Sequence, residues 1–166
     1  GDVLLTIHRP SNVDDPERLQ LWLTTICRWL EESEKKAVFP VHPRTSSVLD
    51  RSWSEWRDVL ALGGITVEEP MGYRALIAAT CAAPLVLTDS GGLQREAYSL
   101  GTRCVVLRDT TEWLEQLECE HSALAGHPSQ LPQVASNMLS LGRFKTGNLY
   151  GNGYAAAEIL RCLRPH

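Results

Sequence analysis

The sequence lacks several features that mark particular classes of protein. No apolar run approaches the length of a membrane span, and the first residues show no charged segment followed by a secretory core. The five cysteines include no Cys-x-x-Cys pair, and most lie in apolar runs, where cysteine behaves as a small buried hydrophobe. The net charge of −4 provides no general field that attracts nucleic acid or anionic lipid. We therefore expect a reduced, cytoplasmic protein with no nucleic-acid or membrane partner.

Candidate metal ligands are few and scattered. Cys119 and His121 lie close together, but no further partners complete a tetrahedral set. We expect no metal site and no cofactor.

The length and apolar content fit a single domain over residues 1–166. The chain has 166 residues, of which 43% are apolar, enough to bury one full core. It contains no internal repeat, no low-complexity tract and no linker long enough to divide it.

Short apolar strands and amphipathic helices alternate along the chain. A helix start with acidic residues and proline lies at residues 14–17, and the apolar stripe that follows predicts that Trp22 and Trp29 are core residues. Further helices are expected over residues 73–83 and 154–163. The predicted strands cover residues 3–7, 37–41, 65–67, 85–87 and 104–107, with a weaker sixth at 122–125.

Continuous apolar strands separated by amphipathic helices are typical of a parallel sheet covered on both faces. The predicted fold class is therefore α/β, a doubly wound, Rossmann-like parallel sheet. In such folds the ligand binds beyond the carboxyl ends of the strands. Polar clusters follow five predicted strands, at residues 8–9, 42–44, 68–70, 89–92 and 108–112. Their positions predict one binding site along that edge.

The most informative segment, the glycine elbow at residues 88–92, joins the fourth strand to the next helix. Gly91 and Gly92 lack Cβ atoms, so a phosphate can approach the backbone while the first free N–H groups of the helix point at it. Glu96 is expected about one helical turn further on, where a carboxylate can accept hydrogen bonds from a sugar diol. The pattern predicts a cradle for a nucleotide diphosphate.

Several of these residues also have a purely structural interpretation. The glycine pair alone fits an ordinary turn, and His8 alone fits a buried histidine at a strand end. His42 stands beside a proline at a strand end, where an architectural role and a ligand contact are both open. Arg108 and Asp109 fit an ion pair or a helix cap, and Glu112 fits a solvated helix face.

Five motifs occur in a fixed order along the chain. They are His8-Arg9-x-x-Asn12, Pro40-Val41-His42-Pro43, Thr88-Asp89-Ser90-Gly91-Gly92-x-Gln94-x-Glu96-Ala97, Arg108-Asp109-Thr110-Thr111-Glu112 and Tyr150-Gly151-x-Gly153-x-Ala155. This ordered set resembles that of the non-hydrolysing UDP-N-acetylglucosamine 2-epimerases. The resemblance spans residues 3–163, and the set is far more specific than any of its parts.

The resemblance implies that the chain is the carboxyl-terminal half of a two-domain enzyme with a glycosyltransferase-B fold and an active site between its halves. In this family the reaction inverts C2 of UDP-GlcNAc to give UDP-ManNAc, through elimination of UDP and its return to the other face of a glycal. The implied partners are a UDP-sugar, the N-terminal domain of the same enzyme and a second copy in a homodimer of the full-length protein. The acid and base carboxylates belong to the amino-terminal half, so the fragment alone is expected to be inactive.

Site residues carry over from the family motif by motif. Its phosphate cradle matches Ser90, Gly91 and Gly92, and its ribose-binding carboxylate matches Glu96. The family histidine at the catalytic cleft, beside the diphosphate, matches His8. Further candidates for contact with UDP are Met71, Leu76, Arg108 and Trp113. Secondary candidates are Arg9, Asn12, His42, Asp89, Asp109 and Glu112.

Departures from the family pattern leave the sugar open. Many members carry Arg-Pro after the Thr-Thr-Glu run, and that Arg contacts the nucleotide, whereas this chain has Trp113 and Leu114. A branch that resembles the epimerases of diacetamido-uronic acid sugars also carries Trp there. Met71 and Leu76 replace the Gln and Phe of some members, which alters side-chain contacts with uracil.

Two other functions are compatible with the same motifs. A stand-alone UDP-binding module would hold the nucleotide without catalysis, and a glycosyltransferase of the same superfold would bind a UDP-sugar through a similar cradle. A natural gene that also encodes an amino-terminal half would favour the epimerase over the stand-alone module. The order of the motifs favours the epimerase over the glycosyltransferase.

Overall fold

The computed structural model describes residues 1–163 as alternating strands and helices. The strands are β1 (Val3–Thr6), β2 (Ala37–Pro40), β3 (Ile65–Glu68), β4 (Val86–Thr88), β5 (Cys104–Val106) and β6 (Ser122–Leu124). The helices are α1 (Pro10–Val13), α2 (Pro16–Glu32), α3 (Pro43–Ser52), α4 (Trp56–Leu62), α5 (Tyr73–Ala82), α6 (Gly91–Leu100), α7 (Leu114–Glu118), α8 (Leu131–Ser140) and α9 (Ala155–Cys162), with a 3₁₀ turn at Pro128–Gln130. All six predicted strands are present, each with its ends within one residue of the expected positions.

The strands form one sheet in the order β3-β2-β1-β4-β5-β6, and every neighbouring pair is parallel. The predicted doubly wound α/β class is therefore confirmed. β1 lies at the centre, where Leu4 pairs with Val38 of β2 and with Val86 of β4. The strand order reverses there, so the loops after β1 and β4 flank a crevice at the carboxyl edge of the sheet.

Two apolar cores cover the faces of the sheet. The larger core contains Trp22, Trp29 and Trp56, each at most 1% exposed. Trp22 and Trp29 are thus the core residues that the helical stripe predicts. The smaller core contains Leu93 and Ala97 of α6. Since burial of one large apolar side chain stabilises a fold by about 1.5–3 kcal/mol, these layers hold the loops at the sheet edge in place.

Helix α9 lies apart from both cores. None of its residues is buried, and Ile159 and Leu160 are 59% and 64% exposed. The same helix keeps a surface ion pair between Arg161 and Glu158. Neither α9 nor any other helix within residues 1–163 is both long and apolar enough to cross a membrane.

Candidate functional site

The glycine elbow begins α6 with free backbone donors. Ser90 is the N-cap residue, with an extended backbone and a side chain that accepts a 3.4 Å hydrogen bond from the N–H of Leu93. Gly91 and Gly92 are the first two residues of the helix, and no acceptor within residues 1–163 binds their N–H groups. A Cβ atom on Gly92 would meet only the Ser90 hydroxyl, at 3.9 Å. An anion can therefore approach this turn from the side of Gly92, whereas Glu112, Arg9 and Trp113 lie beside Gly91.

Asp89 joins two segments of the candidate site through buried hydrogen bonds. Its carboxylate is fully buried and accepts hydrogen bonds from the backbone N–H groups of His8, at 3.1 Å, and Arg9, at 2.9 Å. The side-chain amide of Asn12 donates a further bond of 3.1 Å. These bonds join the glycine elbow to the loop after β1. The structure thus gives Asp89, a secondary candidate from the sequence, a role in positioning two loops.

Asn12 is buried in the same network. Its amide nitrogen also donates to the Leu107 carbonyl at 2.8 Å, and its oxygen accepts from Trp22 at 3.1 Å and from Arg18 at 3.2 Å. Since both ends of the amide are bonded within the fold, Asn12 ties the loop after β1 to the end of β5 and to α2.

His8 and His42 stand side by side at the ends of β1 and β2. Their ring centroids are 5.5 Å apart, and Nδ1 of His8 lies 3.5 Å from a carboxylate oxygen of Asp89. Burial lowers the pKa of His8 from its usual 6.5; the Asp89 carboxylate opposes that shift, whereas His42 and Arg9 add to it. His8 is therefore mainly neutral at pH 7.

His42 has the architectural role that the sequence left open. It is the N-cap of α3, and its Nδ1 accepts a 3.1 Å hydrogen bond from the N–H of Arg44. Because an accepting nitrogen carries no proton, the neutral ring holds its proton on Nε2. That N–H remains available as a donor beside His8.

A cavity of about 180 Å³ opens where these strands end. Its walls bring together five of the residues predicted from the sequence, namely His8, His42, Met71, Leu76 and Ser90. Pro70 and Leu93 add apolar surface. Four of the five polar clusters, at residues 8–9, 42–44, 68–70 and 89–92, thus each contribute to this cavity, whereas the cluster at residues 108–112 does not line it.

A larger cavity of about 480 Å³ also borders α6. It is lined by Gly92, Arg95 and Glu96 of that helix and by Tyr73 and Ile77 of α5. Glu96 is half-buried and lies one turn beyond Gly92, as predicted. The predicted residues that line a cavity therefore divide between two, each of which includes a residue from the first turn of α6.

A charged cluster lies beside Gly91. Arg108 contacts Glu112 at 3.0 Å, and Arg9 contacts the same carboxylate at 3.7 Å. The hydrogen bond from Arg108 is the main cause that lowers the pKa of Glu112. Arg108 therefore pairs with Glu112 and not with Asp109, which is exposed and packs its main chain against Gly126.

Trp113, in the loop between β5 and α7, is hydrogen-bonded to the glycine elbow. Its indole Nε1 donates a 2.8 Å hydrogen bond to the Gly91 carbonyl. Alongside it, the Thr111 hydroxyl donates to the buried amide oxygen of Gln94 at 2.6 Å, and the Gln94 nitrogen donates to the Ser90 carbonyl at 3.2 Å. Gln94 and Thr111 thus hold the first turn of α6 in position; both lie within the sequence motifs, but neither is among the site residues predicted from them.

Arg95 is a further residue that the sequence analysis missed. Its guanidinium carbon lies 4.8 Å from the ring centroid of Trp113 and 4.6 Å from that of Tyr150. The sequence offered one signal, a basic residue in the first helical turns after a glycine pair. Its aromatic partners lie 18 and 55 residues further along the chain, so the stacking itself left no local pattern.

The sequence matches the family model for UDP-N-acetylglucosamine 2-epimerase over residues 2–164. The chain belongs to this family. The resemblance carried by the five motifs is thereby confirmed, and the match favours an epimerase over the glycosyltransferase alternative.

Relatives with assigned names are similar over nearly the whole chain. The UDP-2,3-diacetamido-2,3-dideoxy-D-glucuronate 2-epimerase of Pseudomonas aeruginosa is 38% identical over 168 residues, covering 98% of this chain and 44% of the relative. The UDP-N-acetylglucosamine 2-epimerase of Methanocaldococcus jannaschii is 36% identical over 161 residues, covering 96% of this chain and 43% of the relative.

A solved epimerase shares the fold. The crystal structure of the M. jannaschii UDP-GlcNAc 2-epimerase in complex with UDP-GlcNAc and UDP superposes with a TM-score of 0.87 and 35% identity. The match covers 98% of this chain and 44% of that one. The chain thus spans less than half the length of the epimerases it matches, in agreement with the carboxyl-terminal half of such an enzyme.

Proposed function

We propose that this chain is the UDP-binding domain of a UDP-sugar 2-epimerase, completed by an N-terminal domain of the same enzyme. The observation that carries the proposal is the first turn of α6 at the switch point of the sheet, where no residue in the described part of the chain accepts from the N–H groups of Gly91 and Gly92 and the space beside Gly92 is open. Backbone donors and the helix dipole both favour a diphosphate there. Glu96, one turn further on, takes the ribose diol.

The smaller cavity supports the rest of the assignment. Met71 and Leu76 give it apolar walls suited to the uracil ring, and His8 and Ser90 lie at its polar end. In this arrangement His8 stands next to the diphosphate. A bound diphosphate favours the charged form of the imidazole, which opposes the effect of burial on its pKa.

The chemistry gives these residues a role in binding the leaving group, UDP. In the elimination, C2 of the sugar loses a proton, the bond from C1 to the diphosphate oxygen breaks, and UDP departs with the electron pair. In the return step, UDP adds to C1 of the glycal and C2 receives a proton on the opposite face. Groups that bind the diphosphate more strongly as its charge develops lower both barriers. Ser90, Gly91, Gly92 and His8 have this role, while the groups that move the C2 proton belong to the second domain.

The remaining partners follow from the length of the relatives. Because the chain spans about 44% of each epimerase named above, a second domain supplies the opposite wall of the cleft. The exposed apolar residues of α9 are a surface that this domain or a second copy in a homodimer would cover. The substrate class is a UDP-acetamido sugar.

Titration calorimetry with UDP tests the site. We expect the wild-type chain to bind weakly and the variants Ser90→Ala and Glu96→Ala to bind about 10-fold more weakly still, since each loses a polar contact with the ligand. The matched controls are Ser54→Ala and Glu31→Ala, which change exposed residues far from the elbow in sequence. Affinity that is the same in all five proteins would refute the site assignment.

A further inference from the structure

We propose that Arg95 is a diphosphate-binding residue, held in place by Trp113 and Tyr150. This inference rests on the proposed function, since it assigns a further residue to the same UDP site. Its basis is the position of a stacked guanidinium beside the open turn of α6.

The backbone places Arg95 over the anion-binding turn. Arg95 follows Gly91 by four residues and Gly92 by three, so all three share one face of α6. Side chains on a helix lean toward its amino terminus, and a residue therefore covers the turn that precedes it. Arg95 and Gly92 accordingly line the same cavity.

The aromatic contacts fix the guanidinium at that turn. The Trp113 indole is bonded to the Gly91 carbonyl, so its ring lies against the first residue of α6. The guanidinium carbon of Arg95 is 4.8 Å from the centroid of this ring and 4.6 Å from that of Tyr150. Tyr150 is itself held by a 2.7 Å hydrogen bond with Gln116. An arginine ordered by stacking loses little further conformational freedom when it binds a phosphate.

Arg95 differs in its ion pairing from the other cationic side chains near the glycine elbow. Arg9 and Arg108 share the carboxylate of Glu112. Within the described part of the chain, no carboxylate lies within ion-pair distance of Arg95. Stacking uses the faces of the guanidinium plane and leaves its N–H edge available for a bidentate contact with phosphate oxygens.

A purely structural role for Arg95 would be to fasten Tyr150, and so the residues before α9, onto the domain. That role and diphosphate binding differ in their dependence on salt, because an ion pair with a phosphate weakens as ionic strength rises, whereas the loss of a packing contact weakens binding equally at all salt concentrations. The salt dependence of UDP affinity therefore separates the two.

The test is titration of this chain with UDP and with UMP, at low and at high sodium chloride. The variants are Arg95→Met, which keeps an apolar stem, and Arg95→Lys, which keeps the charge. Arg28→Met is the control, because Arg28 is exposed on α2 and forms no ion pair with any residue in the described range. Circular dichroism of each variant reports whether it is folded.

We expect Arg95→Met to weaken UDP binding about 10-fold at low salt and to flatten its salt dependence, with a smaller loss for UMP. Arg95→Lys should recover part of the affinity and the salt dependence, and Arg28→Met should match the wild type. Wild-type affinity in Arg95→Met, or a loss that is equal at both salt concentrations, would overturn the role of Arg95 alone. A wild-type chain that binds no UDP would overturn the proposed function and this inference together.

Discussion

The indole Nε1 of Trp113 donates a 2.8 Å hydrogen bond to the carbonyl oxygen of Gly91. This bond joins the loop after β5 to the first residue of α6. We expect Trp113→Phe, which keeps an aromatic ring beside Arg95 and removes the donor, to lower the free energy of unfolding by about 1 kcal/mol. Trp113→Ala should cost more, because the ring contacts with Arg95 and Tyr150 are lost too. Urea unfolding of the three proteins measures both effects, and equal stability of Trp113→Phe and wild type would contradict the first.

Replacement of Asp89 should destabilise the chain strongly. In Asp89→Asn the side chain loses its charge and turns an N–H group toward backbone donors that now bind a carboxylate. We expect a loss of about 3 kcal/mol in the free energy of unfolding, since hydrogen bonds to buried charged groups are the strong ones. Asp58→Asn, at an exposed position on α4, is the matched control and should leave the denaturation midpoint unchanged. A midpoint for Asp89→Asn equal to that of the control would show that this carboxylate does not hold the two loops together.

The free energy of unfolding of the domain should decrease as pH falls because of His121. This side chain is fully buried, its Nε2 lies 2.8 Å from the Thr102 carbonyl, and burial lowers its pKa from 6.5 to about 4. Between those values the unfolded chain binds a proton that the folded chain excludes, so the free energy of unfolding decreases as pH falls. The shift corresponds to about 3 kcal/mol.

Urea unfolding from pH 7 to pH 4 measures the contribution of His121. His121→Gln should reduce the pH dependence between pH 6.5 and pH 4, whatever its effect on stability at pH 7, and part of what remains comes from His8, whose pKa burial also lowers. The control is His127→Asn, which replaces an exposed histidine at a helix cap by a residue that also caps. Equal pH dependence in wild type and His121→Gln would assign the effect to other groups.

The isolated chain should bind UDP without catalysis. If the acid and base groups lie in the second domain, proton NMR of the chain with UDP-GlcNAc will show no UDP-ManNAc and no exchange of the C2 proton with deuterium from solvent. The same sample supplies its own positive control, because shifts of the uracil protons on addition of the chain report binding. Appearance of UDP-ManNAc would place the acid and base within these 166 residues.

The sheet could be predicted from the sequence because buried parallel strands have a local signature. Each strand is a short apolar run, and polar residues follow five of the six; β6 lacks that polar end and is accordingly the weakest prediction. The position of the glycine elbow could be predicted in the same way, since a glycine pair between an apolar strand and a helical pattern marks a turn, although the pair alone does not distinguish a binding site from an ordinary turn. These features depend on residues that are neighbours in the chain.

The sequence did not show in the same way which polar side chains are bonded within the fold and which remain open to a ligand. Asn12 and Asp89 are polar residues in motifs, which favours ligand contact, yet their partners lie inside the fold and as far as 95 residues away. Likewise, nothing close to Arg95 in sequence indicates that Trp113 and Tyr150 enclose it. The direction of a polar side chain is set by such distant partners, so it becomes visible only once the sheet is assembled.

The buried bonds from Asp89 to the backbone of His8 and Arg9 also bear on how two segments of this chain move. They fasten the histidine loop to the start of α6, so the two cannot separate without exposing an unpaired carboxylate in the interior. Motion of the histidine loop is therefore coupled to that of the first turn of α6 within this chain. A substitution that loosens the carboxylate would displace both candidate binding segments together, even though Asp89 itself contacts neither cavity.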